Sequence, residues 1–127
     1  VSALPDDPGH PFLKQKSLDL EPAGSWSVRL HSGGGHVDHI HPAGWISAAY
    51  YVVVPDIITD EARGGWLRLG GSGVPGLAFE PERWVKPEPG KAVFFPSYVW
   101  HGVEPFEGEA IRVSAPFDLR PARQPQN

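Results

Sequence analysis

The chain has 127 residues, a net charge of -4 and no cysteine, which excludes a disulfide framework or thiolate metal site and leaves no basic stripe for nucleic acid. Fifteen Gly and fifteen Pro exceed the average of roughly 7% and 5%, but 40% hydrophobic residues and five Trp exclude wholesale disorder. No apolar run nears the roughly 20 residues that span a bilayer.

This length suits one domain with a real core: residues 1–127, with the core at about 12–119 and polar tails. The start, Val1-Ser2-Ala3-Leu4-Pro5-Asp6-Asp7-Pro8, is acidic and Pro-rich and has no signal-peptide pattern, so the cytoplasm is the expected location. The chain lacks Met, even at position 1, which suggests a domain of a longer protein or a processed chain.

Residues 1–16 read as a polar lead-in. Ser25–Leu30 alternates polar and apolar, as a half-buried strand does. Gly33-Gly34-Gly35 is a loop, and His36–His41 is a short extended piece closed by Pro42-Ala43-Gly44. Ile46–Val54 is β-branched and aromatic, a strand that Pro55 ends. Residues 56–64 form a loop, Trp66–Leu69 a short strand, and 70–83 an irregular Gly/Pro-rich stretch. Arg83–Lys86 and Ala92–Phe95 are strands around the turn Pro87-Glu88-Pro89-Gly90. Ala110–Pro116 is the last strand, and Arg120–Asn127 a frayed tail. No segment has a helical period. Seven or eight short strands between turn signals predict an all-β sandwich or barrel of the jelly-roll or cupin-like kind.

Without cysteine, a transition metal must sit on His, Asp or Glu. Four of the six His fall between 31 and 41. His39 and His41, at i and i+2, point to one face of a strand, and His101 follows the apolar run Phe94-Phe95-Pro96-Ser97-Tyr98-Val99-Trp100. These three form the favoured metal set. A second frame, His36 and Asp38 with His101, gives the usual two-His-one-carboxylate set of non-haem Fe(II) oxygenases. The two pairs have opposite parity, so only one faces the metal unless a bulge intervenes. His10 lies in the lead-in, and His31 is ambiguous. Arg112 and Ser114 share one face of the last strand, opposite Ile111, Val113 and Ala115. A guanidinium there could hold a carboxylate through its planar fork, with a hydroxyl from Tyr51 or Tyr50 beside it. Some of the five Trp could line the mouth of such a site.

Residues 39–52, His39-Ile40-His41-Pro42 through Tyr51-Val52, resemble the first metal-strand signature of the bacterial and phage 2-oxoglutarate/Fe(II)-dependent oxygenases. Residues 89–103, Pro89-Gly90-Lys91 through His101-Gly102-Val103, resemble their second. Arg112-Val113-Ser114 is similar to the superfamily's Arg-x-Ser grip on the cosubstrate. The resemblance spans about 12–118. It implies a double-stranded β-helix, Fe(II) on His39, His41 and His101, and 2-oxoglutarate held by Arg112, Ser114 and Tyr51. It also implies hydroxylation of a substrate, a small molecule or peptide, with release of succinate and CO2. One departure stands out: the superfamily's His-x-Asp/Glu is here His39-x-His41.

The second reading is a cupin-like metal or small-ligand binding module without turnover. Gly33 with His39-x-His41, and Gly90 with Pro96 and His101, approach the two cupin motifs. The glutamate expected soon after His41 is absent, however, and the cupin pattern leaves Arg112-x-Ser114 unexplained. Specificity would lie in loops 56–64 and 70–83.

Overall fold

The structure, a computed structural model, describes residues 1–77 and 79–123. Among these the chain forms ten strands and a single 3₁₀ turn, Leu13–Gln15: β1 (Leu20–Ser25), β2 (Val28–Leu30), β3 (His36–His39), β4 (Ile46–Val53), β5 (Leu67–Leu69), β6 (Arg83–Val85), β7 (Ala92–Pro96), β8 (His101–Val103), β9 (Arg112–Ser114) and β10 (Phe117–Pro121). No helix of the described residues is long and apolar enough to cross a membrane.

All pairings are antiparallel and fall into two sheets. The larger runs β1-β10-β4-β9-β2, with β7 also on β4; the smaller runs β3-β8-β5-β6. This is the double-stranded β-helix expected from the sequence. β4 is its hinge. Its first half pairs with β7 and β10, from Tyr51 onward it pairs with β9, and a register shift lies between Tyr51 and Val53. Such a shift bends and twists a strand locally, which lets one strand serve both edges of the larger sheet.

Three sequence expectations are corrected. The strand expected at Ser25–Leu30 is two strands. Trp26 N–H donates to the Pro116 carbonyl and turns the chain there, so β1 pairs with β10 and β2 with β9. The last strand, expected at Ala110–Pro116, is only Arg112–Ser114, and a further strand follows it. Pro116 has no N–H to extend the ladder, and β10 begins at Phe117 against Ala48. Arg120 and Pro121 therefore belong to a strand and not to a frayed tail; residues 124–127 of that tail lie outside the described residues. His101–Val103, assigned to no element from the sequence, is a strand of its own between β3 and β5.

Apolar packing is concentrated at the flanks. Leu30, Val103 and Phe106 form one buried cluster, with Val28 against it. Trp45, 2% exposed, stacks on Phe12 at 4.9 Å and donates its indole N–H to the Phe12 carbonyl. That bond pins the lead-in to the barrel from residue 12. Between the sheets the core gives way to a cavity of about 370 Å³, inside the roughly 300–1,000 Å³ range of small-ligand sites.

Candidate metal and carboxylate site

Both sheets line this cavity. The smaller sheet contributes His36, His39, Leu67, His101 and Val103; the larger contributes Ser47, Tyr51, Phe95, Arg112, Ser114 and Asp118.

The histidines come first. His39 and His101 are direct cross-strand partners in the β3–β8 ladder, and their rings lie 4.3 Å apart. His41, just past β3, joins them with its ring 4.8 Å from that of His101. One ligand atom from each of His39, His41 and His101 lies within 4.8 Å of the others, so the three could hold a metal ion.

Each Nδ1 is already committed. His39 Nδ1 lies 2.8 Å from the Val37 carbonyl, His101 Nδ1 3.0 Å from the Val99 carbonyl, and His41 Nδ1 2.6 Å from Asp118 Oδ2. A carbonyl only accepts, so Nδ1 of His39 and His101 carries the proton, and Nε2 is left with a free lone pair. Burial, above all, pushes the His101 imidazole down to about 4. His39 and His41 push the same way, against the Val99 bond and Asp118. His101 is therefore a neutral acceptor at pH 7. Its Nε2 faces His41 Nε2 at 3.2 Å. Two lone pairs at that distance repel unless a cation or proton lies between them, which suits the donor set to a divalent metal.

A bulge separates the residues of the second frame. The β3–β8 register shifts between His36, opposite Val103, and His39, opposite His101. The extra residue reverses the strand's parity. His36 thus lines the cavity together with His39 and His41, while Asp38 leaves it. Asp38 instead accepts from Arg68 Nε at 3.2 Å; Arg68 also reaches Glu104 and the His36 carbonyl. Gly102 makes room for this network, since a Cβ there would strike Arg68 Nη2 and Asp38 Oδ1. The His36 imidazole is lowered from its ordinary value by burial first, then by His39 and Arg112.

At the other end the polar groups lack side-chain partners among the described residues. Tyr51 and Ser114 are direct partners across β4 and β9. Tyr51 is fully buried and Tyr50 is 42% exposed, so Tyr51 is the inward tyrosine. Its hydroxyl is buried without a hydrogen bond among the described residues. Arg112 is 2% exposed; its Nε–H donates to the Gly65 carbonyl at 3.0 Å, and its guanidinium lies 5.1 Å from the Tyr51 ring centre. No carboxylate among the described residues pairs with it. Burial lowers the Arg112 pKa and raises that of Tyr51. A buried cation and a buried hydroxyl left open are costly, and an anionic ligand donated to by both would offset that cost.

Residues that sequence reasoning missed lie behind His41. Asp118 on β10, 4% exposed, stands opposite Ser47 in the ladder and accepts from Ser47 Oγ at 2.7 Å. Ser47 also bonds Ser97 at 2.9 Å. The polar/apolar alternation Phe117-Asp118-Leu119-Arg120 was the available signal, hidden by reading Pro116 as the end of the last strand. Trp26, about half exposed, meets His41 edge-on at 5.5 Å and lines the cavity. His10 and His31 lie outside this site.

Solved structures of similar fold include a prolyl-4-hydroxylase of Pseudomonas putida, 24% identical with a TM-score of 0.58, over 78% of this chain and 51% of that one. HygX of Streptomyces hygroscopicus is similar in its apo form, TM-score 0.54, and with iron bound, TM-score 0.52. Each HygX structure is 12% identical over 82% of this chain and 59% of that one. The chain thus spans little more than half the length of these proteins. No curated protein sequence matches it significantly. Residues 24–118 match the family model described as "Putative 2OG-Fe(II) oxygenase". That match takes in both histidine segments, Arg112, Ser114 and Asp118, and the chain belongs to this family of 2-oxoglutarate and Fe(II) oxygenases.

Proposed function

We propose that the chain is the catalytic barrel of a 2-oxoglutarate- and Fe(II)-dependent dioxygenase that hydroxylates a small molecule or peptide, with release of succinate and CO2. One observation carries the reading. A single cavity has three converging imidazoles at one end, and at the other a buried guanidinium with no carboxylate partner and a tyrosine hydroxyl with no hydrogen bond among the described residues.

In this reading His39, His41 and His101 hold the iron. Arg112 holds the distal carboxylate of 2-oxoglutarate through charge-assisted bonds, helped by Ser114 and by the Tyr51 hydroxyl. When bound, iron and 2-oxoglutarate supply the oxygen-activating redox chemistry; the protein's share is binding, orientation and exclusion of water. The committed Nδ1 atoms fix each imidazole's tautomer and ring plane. Phe95, packed on His101 at 4.6 Å, and Leu67 make the cavity walls apolar. Trp26 forms part of the mouth through which a substrate would reach His41.

Anaerobic addition of Fe(II) and 2-oxoglutarate tests the proposal. The expected result is a metal-to-ligand charge-transfer band that needs both components and that Arg112→Ala weakens by lowering 2-oxoglutarate affinity. Absence of the band, with 2-oxoglutarate binding indifferent to Arg112→Ala, would sink it. Metal uptake without 2-oxoglutarate binding would instead favour a cupin-like binding module.

A further inference from the structure

The usual facial set at such a centre is two His and one carboxylate, whose negative charge offsets part of the metal's. In this chain the position two residues after the first histidine is His41, so the three imidazoles carry no such charge. His41 nevertheless differs from the other two. His39 and His101 rest on backbone carbonyls, whereas His41 rests on a carboxylate, Asp118, at 2.6 Å.

That carboxylate is unusually placed. It is 4% exposed, and no Lys or Arg among the described residues pairs with it. Its contacts are His41 Nδ1 and the Ser47 hydroxyl. A buried carboxylate without a cation is costly, and a metal held by the three imidazoles would be the cation it faces through His41. The surroundings are tight. Ser97 braces Ser47 from behind. At Gly44 a Cβ would come within 2.5 Å of Ser97 Oγ and 3.2 Å of the Asp118 Cβ. Asp118 therefore has little room to turn from His41.

We propose that Asp118 replaces the missing carboxylate ligand from one bond further out: it supplies the site's negative charge through His41 and holds that imidazole in register. Asp118 is thus a positioning residue that acts through His41 and touches no reacting atom. The inference rests on the ligand set proposed above.

Co(II) affinity, followed by visible absorption, and the energy of the anaerobic Fe(II)–2-oxoglutarate charge-transfer band test it. Asp118→Asn keeps the shape and removes the charge. It should weaken Co(II) binding by about 10–100-fold, the usual effect of losing such an outer partner. It should also move the band to higher energy, because a less electron-rich imidazole stabilises the iron's electrons. The double variant His41→Asp/Asp118→Asn returns a carboxylate to the metal itself. It should recover affinity and shift the band back, which mere packing at position 118 would not do.

Wild-type affinity and band position in Asp118→Asn would overturn the inference while leaving the ligand set intact. So would weakened binding that the double variant fails to recover. No metal uptake by the wild-type chain would overturn both. Should Asp118→Asn not fold by circular dichroism, the double variant decides: folding and metal binding support the inference, and failure of either assigns Asp118 to the fold and overturns it.

Discussion

The two ends of the cavity treat their polar groups in opposite ways. At the histidine end the Nδ1 atoms of His39, His101 and His41 are bonded, to Val37, Val99 and Asp118, which leaves their Nε2 atoms open to the cavity. Among the described residues, the guanidinium at the Arg112 end has one protein acceptor, the Gly65 carbonyl, and the Tyr51 hydroxyl has none. The first end is preorganised by satisfaction, which suits a metal that demands fixed donor geometry. The second is preorganised by want, which suits a ligand that brings its own charge. Binding and stability should therefore respond differently to changes at the two ends.

The sharpest break comes from His39→Ala. It should lower Co(II) affinity by at least about 100-fold, since it would remove one of the three proposed protein ligands and leave an incomplete facial set. The apo protein's thermal midpoint should barely move, because His39 is only partly buried and its Nδ1 bond is local.

At the other end, Arg112→Met should lower 2-oxoglutarate affinity by about 10–100-fold, the worth of a charged hydrogen-bonding group at about 1.5–3 kcal/mol. Metal affinity should be unchanged. The apo protein should be as stable as wild type or more so, because an apolar side chain of similar length replaces an unpaired buried charge. Calorimetry on apo protein and titration with 2-oxoglutarate would read both. Destabilisation on Arg112→Met would show that this end is satisfied after all.

Tyr51→Phe gives a milder form of the same contrast. The hydroxyl has no partner to lose, so apo stability should stay level or rise by about 1 kcal/mol, while 2-oxoglutarate affinity falls about fivefold, one neutral hydrogen bond's worth.

The pH response belongs to the histidine end. Folding holds His101 at about 4, below its ordinary 6.5. The unfolded chain therefore takes up the proton first as pH falls. The stability contributed by the neutral ring is complete above about 6.5 and is lost progressively down to about 4. Chemical denaturation of apo protein across that window should show the loss, and His101→Gln should reduce the slope. Asp38→Asn is the smallest effect at the site: no change in metal affinity, with a stability cost of about 1 kcal/mol from the weakened Arg68 bond. A large loss of metal affinity would restore His36 and Asp38 as the ligand frame.

Much of this architecture was legible in the sequence, for reasons that differ by element. Ile46–Val53 is β-branched and aromatic and bounded by Gly44 and Pro55, so local propensity and its tertiary pairing agree. Arg112 and Ser114 sit opposite Ile111 and Val113, and period-2 alternation alone places them on one face. Less legible were β1 and β10. Pro22, Gly24 and Pro121 are poor strand formers, and they become strand residues because β1 and β10 pair across the chain's two ends, with Pro22 opposite Leu119, Gly24 opposite Asp118 and Pro121 opposite Leu20.

For the site, the amino-acid sequence by itself determined the residue types and their spacing: the His39-x-His41 pair, the lone His101 and Arg112-x-Ser114. Spacing on a strand is a local property, and alternation makes it readable. Tertiary structure alone decided which pair faces inward, because the bulge between His36 and His39 exists only against β8. It alone chose Tyr51 over Tyr50, by setting Tyr51 opposite Ser114 of β9 and burying it. It alone brought Asp118 to His41 from 77 residues away, since nothing local in Phe117-Asp118-Leu119 says which strand will lie beside it.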